Sequence, residues 1–263
     1  MTARASCRLW GKLPTVGGFA VVCPEGEGRR LGLYSWGAPG QIDDLARMPA
    51  FVRRTLRWIR VEAHRVYAVG GSMGGQEALL LAARYPQLLS GVIAFDAVTN
   101  LAAQYREFPN LRCNRRCLLA WRLPLGSALQ HLASAEVGGS PSTNPKGYAR
   151  RSPLHYARRL AHAGVPLELW WSQSDLVVPG QQQHQSGALF TRILRLNPHA
   201  QIEAFVGAWR HSAEERATAR LPFALAQLRL LPRRFLKRPD RLHEMHFIPS
   251  RRFVRPGSAE SGG

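Results

Sequence analysis

The chain has 263 residues, 45% of them apolar, and a formal net charge of +19. That much apolar material excludes a disordered chain, and 24 Gly and 18 Pro without any period exclude a collagen or low-complexity protein. The length fits one large domain, or one domain plus a tail.

The charge invites a reading as a nucleic-acid or anionic-surface binder. Its distribution argues otherwise. Of 36 cations only Lys12, Lys146 and Lys237 are lysines, and the arginines are scattered along the chain, as at Arg53-Arg54 and Arg158-Arg159. A dedicated nucleic-acid binder gathers its cations on one helix or stripe. An arginine-biased composition is the simpler account, and no specific nucleic-acid partner is expected. Polyanion binding on a globular scaffold stays as an alternative.

In chain order, the N-terminus is followed by no long apolar stretch, so no signal peptide is expected. The longest apolar runs, such as 78–83, fall far short of the roughly 20 residues that span a bilayer. The expectation is a chain with no membrane span, cytoplasmic by default, or secreted if its N-terminus is truncated. Cys7, Cys23, Cys113 and Cys117 match no zinc spacing. Two scattered thiols with a local 113–117 disulfide, or four free thiols, are both compatible with the spacing.

Residues 19–23, Phe-Ala-Val-Val-Cys, read as a buried strand ended by Pro24, and 28–42 as a loop. Asp43 and Asp44 open a helix that carries Pro49 as a blemish and ends near Ile59. Residues 65–69 form the next strand, 70–75 a turn and 76–84 a helix stopped by Pro86. A strand at 92–95 ends at Asp96. Residues 97–150 give short helices and loops, and 153–162 a helix. A strand at 167–171 precedes Asp175, a helix covers 182–196, a strand at 201–206 precedes His211, and a last helix covers 213–230 with a kink at Pro222. Short apolar strands alternating with helices predict an α/β fold with a mostly parallel sheet and helices on both faces. Ser72, Asp96, Asp175 and His211 all follow strand ends, which places them along the ligand-binding edge of such a sheet.

Gly70-Gly71-Ser72-Met73-Gly74 matches Gly-x-Ser-x-Gly between a strand and a helix. In that context the serine sits on a tight turn with its Oγ clear of the sheet, and the N–H of Met73 can face an oxyanion. A serine needs a histidine base, and the histidine needs a carboxylate to orient it. The chain order Ser, acid, His selects Asp175 and His211. Asp96 competes for the acid role. Asp175 has the competing reading of a helix cap.

On these motifs the chain resembles the α/β-hydrolases, and more narrowly the catalytic domain of the prolyl oligopeptidase family. The resemblance rests on Gly-x-Ser-x-Gly-Gly at 70–75, Ser-Pro-x-x-Tyr-Ala at 152–157 and Asp175 followed by Val178-Pro179. Gln185-Ser186 at a helix start and Gly-x-x-x-His at 207–211 complete it. It covers about 14–230, giving a hydrolase domain over 1–231 and a basic, disordered tail over 232–263. No β-propeller fits. The fold normally has a strand and a His-Gly loop before the segment matching 19–23, and that loop supplies the second oxyanion N–H. Here the first strands are short-changed, and Trp36, Gly37 and Ala38 lie where a substitute donor would be.

The resemblance implies a serine hydrolase of peptidase or esterase type, with Ser72 as nucleophile, His211 as base, Asp175 as orienting acid and Met73 as oxyanion donor. Its partner is a small-molecule ester or peptide substrate, with no cofactor and no metal. Trp121 and Tyr148 hint at a partly apolar substrate. A catalytically impaired, N-terminally truncated hydrolase-like protein is the alternative. Oligomeric state stays open.

Overall fold

A computed structural model of the chain describes residues 7–26, 33–111, 126–209, 211 and 220–237, and the backbone of 243–245. The described residues hold one five-stranded sheet in the order β1 (Tyr67–Gly71), β2 (Gly91–Phe95), β3 (Leu167–Ser172), β4 (Ile202–Gly207), β5 (His243–Met245). The first four are mutually parallel, with Ala94 opposite both Gly70 and Leu169, and Trp170 opposite Phe205. β5 runs antiparallel to β4.

In chain order the helices are α1 (Leu13–Gly17), α2 (Pro39–Thr55), α3 (Met73–Arg84), α4 (Leu101–Glu107), α5 (Gly126–Val137), α6 (Pro145–Arg150), α7 (Ala157–Ala161), α8 (Gln181–His184), α9 (Ser186–Leu196) and α10 (Arg220–Gln227). Apolar side chains cover both faces of the sheet. On one face Leu167, Leu169 and Trp171 pack against α3, α7 and α9. On the other Trp170 stacks on Phe205 at 4.1 Å between ring centroids, under Phe223 and Leu225 of α10. β2 and β3 are buried along their whole length, as continuous apolar runs in a parallel sheet should be.

Several boundaries differ from the sequence reading. Residues 19–23 form no strand: the segment is irregular and only partly buried. An apolar run becomes a strand only where a neighbouring ladder takes up its N–H and C=O groups, and among the described residues β1 pairs with β2 alone. β1 is accordingly half-buried. α2 starts earlier than Asp43, at Pro39, whose fixed φ suits a first helical turn, and it continues through Pro49. The helix read at 182–196 is broken at Gln185. The start of the last helix lies outside the described residues, with Pro222 in its first described turn.

Cys7 and Cys23 are joined in a disulfide, with Cα atoms 5.7 Å apart, so neither is the scattered thiol expected. Only the fold brings them together, across 16 residues. Cys113, Cys117 and Trp121 lie outside the described residues. Two elements fall within the segment read as a tail: β5, and a short helix Arg233–Leu236 whose Phe235 and Leu236 pack on the Trp170 cluster. Among the described residues no helix is long and apolar enough to cross a membrane.

Candidate active site

β1 ends at Gly71 and α3 begins at Met73, which leaves Ser72 alone on the turn with φ 57° and ψ −122°. A positive φ at a non-glycine residue costs on the order of 1–3 kcal/mol and persists only where its surroundings enforce it. Here the Ser72 N–H donates to the Phe95 carbonyl at 2.8 Å. A Cβ on Gly70 would lie 2.3 Å from the Gly74 carbonyl, and one on Gly75 would lie 3.0 Å from Ala97 Cβ. The turn closes because both positions lack a side chain. Met73 opens α3, where a backbone N–H has no acceptor within the helix.

Asp175 sits in the loop after β3. Its Oδ1 accepts the N–H groups of Val177 at 2.8 Å and Val178 at 2.9 Å. The Nδ1 of His211, beyond β4, lies 2.9 Å from Oδ1 and 2.8 Å from Oδ2. Nδ1 facing a carboxylate is the donor, which leaves Nε2 as the acceptor. Burial alone would lower the proton affinity of His211. The charge and hydrogen bond of Asp175, then the charge of Asp96, outweigh it and raise the pKa above 6.5.

Asp96, at the end of β2, is fully buried with φ 45°. Its Oδ1 accepts the Ser172 N–H at 2.8 Å and its Oδ2 the indole N–H of Trp209 at 2.6 Å. Burial first, and the Asp175 charge second, push its carboxyl up to about 7. One ligand atom from each of Asp96, Asp175 and His211 lies within 4.8 Å of the others. Backbone and indole N–H donors face three of the four carboxylate oxygens, and His211 Nδ1 faces the fourth, Asp175 Oδ2.

Ser72, Met73, Trp36, Glu77 and His211 line one cavity of about 800 Å³. Tyr148 does not line it. It is buried, with its hydroxyl donating to the Gly139 carbonyl, and is a core residue. The loop expected to supply a second oxyanion donor is held from below. The N–H groups of Tyr34 and Ser35 donate to the Glu136 carboxylate at 2.9–3.0 Å. That of Trp36 bonds the Tyr34 carbonyl, and that of Ala38 the Ser35 carbonyl. These four backbone donors are therefore occupied, and within 34–38 only the Gly37 N–H has no acceptor among the described residues. The buried indole Nε1 of Trp36 has no partner among the described residues.

The other motif residues brace the site. The Gln185 side-chain oxygen accepts the N–H groups of Thr99 and Asn100, both at 2.8 Å, and Ser152 Oγ accepts that of Leu101. Together they pin the loop that follows Asp96. Gln76, whose amide N–H₂ donates to the Trp36 and Arg151 carbonyls, and Glu136, Ser172 and Trp209 were not legible as site residues, because each acts on a segment far away in the chain. Glu136, for instance, reaches Tyr34 across 102 positions.

No family model matches the chain, and no curated protein matches it. Solved structures do. The chain is similar to an uncomplexed Pyrococcus horikoshii acylaminoacyl peptidase, with TM-score 0.54 and 18% identity over 80% of this chain and 32% of that one. An orthorhombic form of the same organism's enzyme gives TM-score 0.53 and 16% identity, over 76% and 28%. An acylaminoacyl peptidase in complex with Z-Gly-Gly-Phe-chloromethyl ketone gives 0.51 and 19%, over 79% and 28%. The chain thus spans less than a third of each of these neighbours. The chain has an α/β fold of the α/β-hydrolase type, and the resemblance drawn from its motifs, to the catalytic domain of the prolyl oligopeptidase family, holds at the level of fold.

Proposed function

We propose that the chain is a serine hydrolase acting on an ester or peptide bond. The observation that carries this reading is the pairing of His211 with Asp175, on the cavity that also holds the strained Ser72. In this reading Ser72 Oγ attacks the acyl carbon while His211 Nε2 takes its proton. Asp175 holds the imidazole in the right tautomer and stabilises the imidazolium. The Met73 N–H faces the developing oxyanion. His211 then protonates the leaving group, and water, deprotonated by the same nitrogen, releases the acid.

Labelling with a fluorophosphonate probe tests the nucleophile. Wild type is expected to be labelled and Ser72→Ala to be inert; equal labelling of both overturns the assignment.

A second reading, an impaired hydrolase, is favoured by the occupation of two of the three expected donors: the N–H groups of Trp36 and Ala38 are bonded within the loop, which leaves that of Gly37 alone to serve. Loss of one oxyanion donor costs about 10²–10³ in rate. A panel of acyl esters and aminoacyl amides separates the two: labelling of Ser72 without turnover of any of them favours impairment. The Cys7–Cys23 bridge supports an oxidising compartment over the cytoplasmic default.

A further inference from the structure

Asp96 is not the partner of His211, yet it is built into the same cluster. Both its oxygens are taken up by N–H donors, and both donors belong to segments that position the histidine. Ser172 is the last residue of β3. Trp209 lies two residues before His211. The same two segments are tied again, since Ser172 Oγ donates to the Trp209 carbonyl and accepts the Trp209 N–H at 2.8 Å. The guanidinium of Arg220, from α10, lies 4.1 Å from the Trp209 ring centroid. Trp209 is therefore held at its indole N–H, its backbone and its ring. Such fixation is unusual for a residue on a loop.

Asp96 also keeps a left-handed backbone conformation that asparagine or glycine would adopt more easily. A fully buried carboxylate is costly. Against that cost it offers two things an amide lacks: an acceptor at each oxygen, for the Ser172 and Trp209 N–H groups, and a negative charge. Among the described residues, the charged and titratable groups about it are Asp175 from the β3 loop, His211 beyond β4 and Arg220 behind Trp209.

We propose that Asp96 is a positioning residue of this site: it anchors the His211 segment through Trp209 and, as a second carboxylate beside Asp175, stabilises the imidazolium that forms at His211. The proposal rests on the serine-hydrolase reading.

The test is the rate of fluorophosphonate labelling of Ser72 against pH, which needs no knowledge of the substrate. In Asp96→Asn the charge is gone and an amide N–H₂ must face one of the two donors. The maximal rate is expected to fall, and the acid limb to move to lower pH by roughly half a unit or more. Trp209→Phe removes the indole donor, with the pyrrole ring that carries it, and leaves the Asp96 charge in place; its rate is expected to fall with the limb close to its wild-type place. An Asp96→Asn limb that does not move overturns the charge role, and a Trp209→Phe rate equal to wild type overturns the anchoring role. Labelling that survives Ser72→Ala sinks the serine reading instead, so the two failures are distinct. If Asp96→Asn does not fold, the wild type carries the test. Carbon NMR of the Asp96 carboxyl should show a step shared with the His211 imidazole, as interacting groups do, and independent titrations overturn the proposal.

Discussion

Asp175 meets the Nδ1 of His211 with both carboxylate oxygens, at 2.9 and 2.8 Å, in surroundings that leave the histidine 3% exposed. The carboxylate is itself fixed by the N–H groups of Val177 and Val178. Asp175→Asn would put an amide against the imidazole, favour the wrong tautomer and leave the imidazolium without its counter-charge. The expected loss in turnover is about 10³–10⁴, read with an ester substrate or as the labelling rate of Ser72. A variant within a few-fold of wild type removes Asp175 from the role of acid.

The pH dependence has a fixed sign. In the proposed mechanism His211 acts as base only when neutral, and its pKa is raised above 6.5, chiefly by the Asp175 charge working against burial. Activity is therefore expected to be high on the alkaline side and to fall as pH drops, with half-maximum above pH 6.5. A profile of kcat/KM against pH checks this. Activity that holds undiminished below about pH 6 is incompatible with His211 as base.

Glu77 on α3 lines the cavity without a hydrogen bond or ion pair to any described residue. Burial pushes its carboxyl from 4.5 up to about 7. Between those values the folded chain binds more protons than the unfolded chain, so this group makes stability fall as pH rises from 4.5 to about 7. Above that range the cost is on the order of 2–3 kcal/mol, with allowance for partial exposure. Glu77→Gln should stabilise the protein by that order at pH 8 and leave it unchanged near pH 4.5. Urea denaturation at the two pH values decides the matter, and equal effects at both would refute a carboxylate kept out of water.

The bridge between Cys7 and Cys23 closes a loop that carries Trp10 against Phe19 at 6.1 Å. Restricting the unfolded chain over a loop of this length is worth about 3 kcal/mol. Cys23→Ser should lower stability by up to that amount and expose Trp10, seen as a red shift in its fluorescence. Alkylation of the unreduced protein followed by peptide mapping checks the pairing, and modified Cys7 and Cys23 would disprove it.

The apolar runs at 92–95, 167–171 and 201–206 announce strands because a parallel strand buried on both faces needs no polar alternation. The run at 19–23 has the same appearance and is not a strand. Hydrophobicity reports how much a segment gains by burial, whereas a strand also needs a partner edge in register. Asp175 and His211 were legible because the order of strands carries each to one edge of the sheet. Asp96 was legible as a strand end but not as the partner of Trp209. That pairing depends on how the β3 and β4 ends lie beside β2.

By itself, then, the sequence determined the α/β class, the turn that exposes Ser72 and the loops that carry Asp175 and His211. Each of these is a local consequence: glycines where a side chain would collide, apolar runs of strand length, and acids or histidines just past them. Only the tertiary structure decided which groups meet. It paired Cys7 with Cys23, bonded Glu136 to the Tyr34 and Ser35 N–H groups, and set Asp96 beside Asp175 and His211. Contacts between distant segments depend on the packing of the whole sheet and its helices, and no window of the chain contains that information.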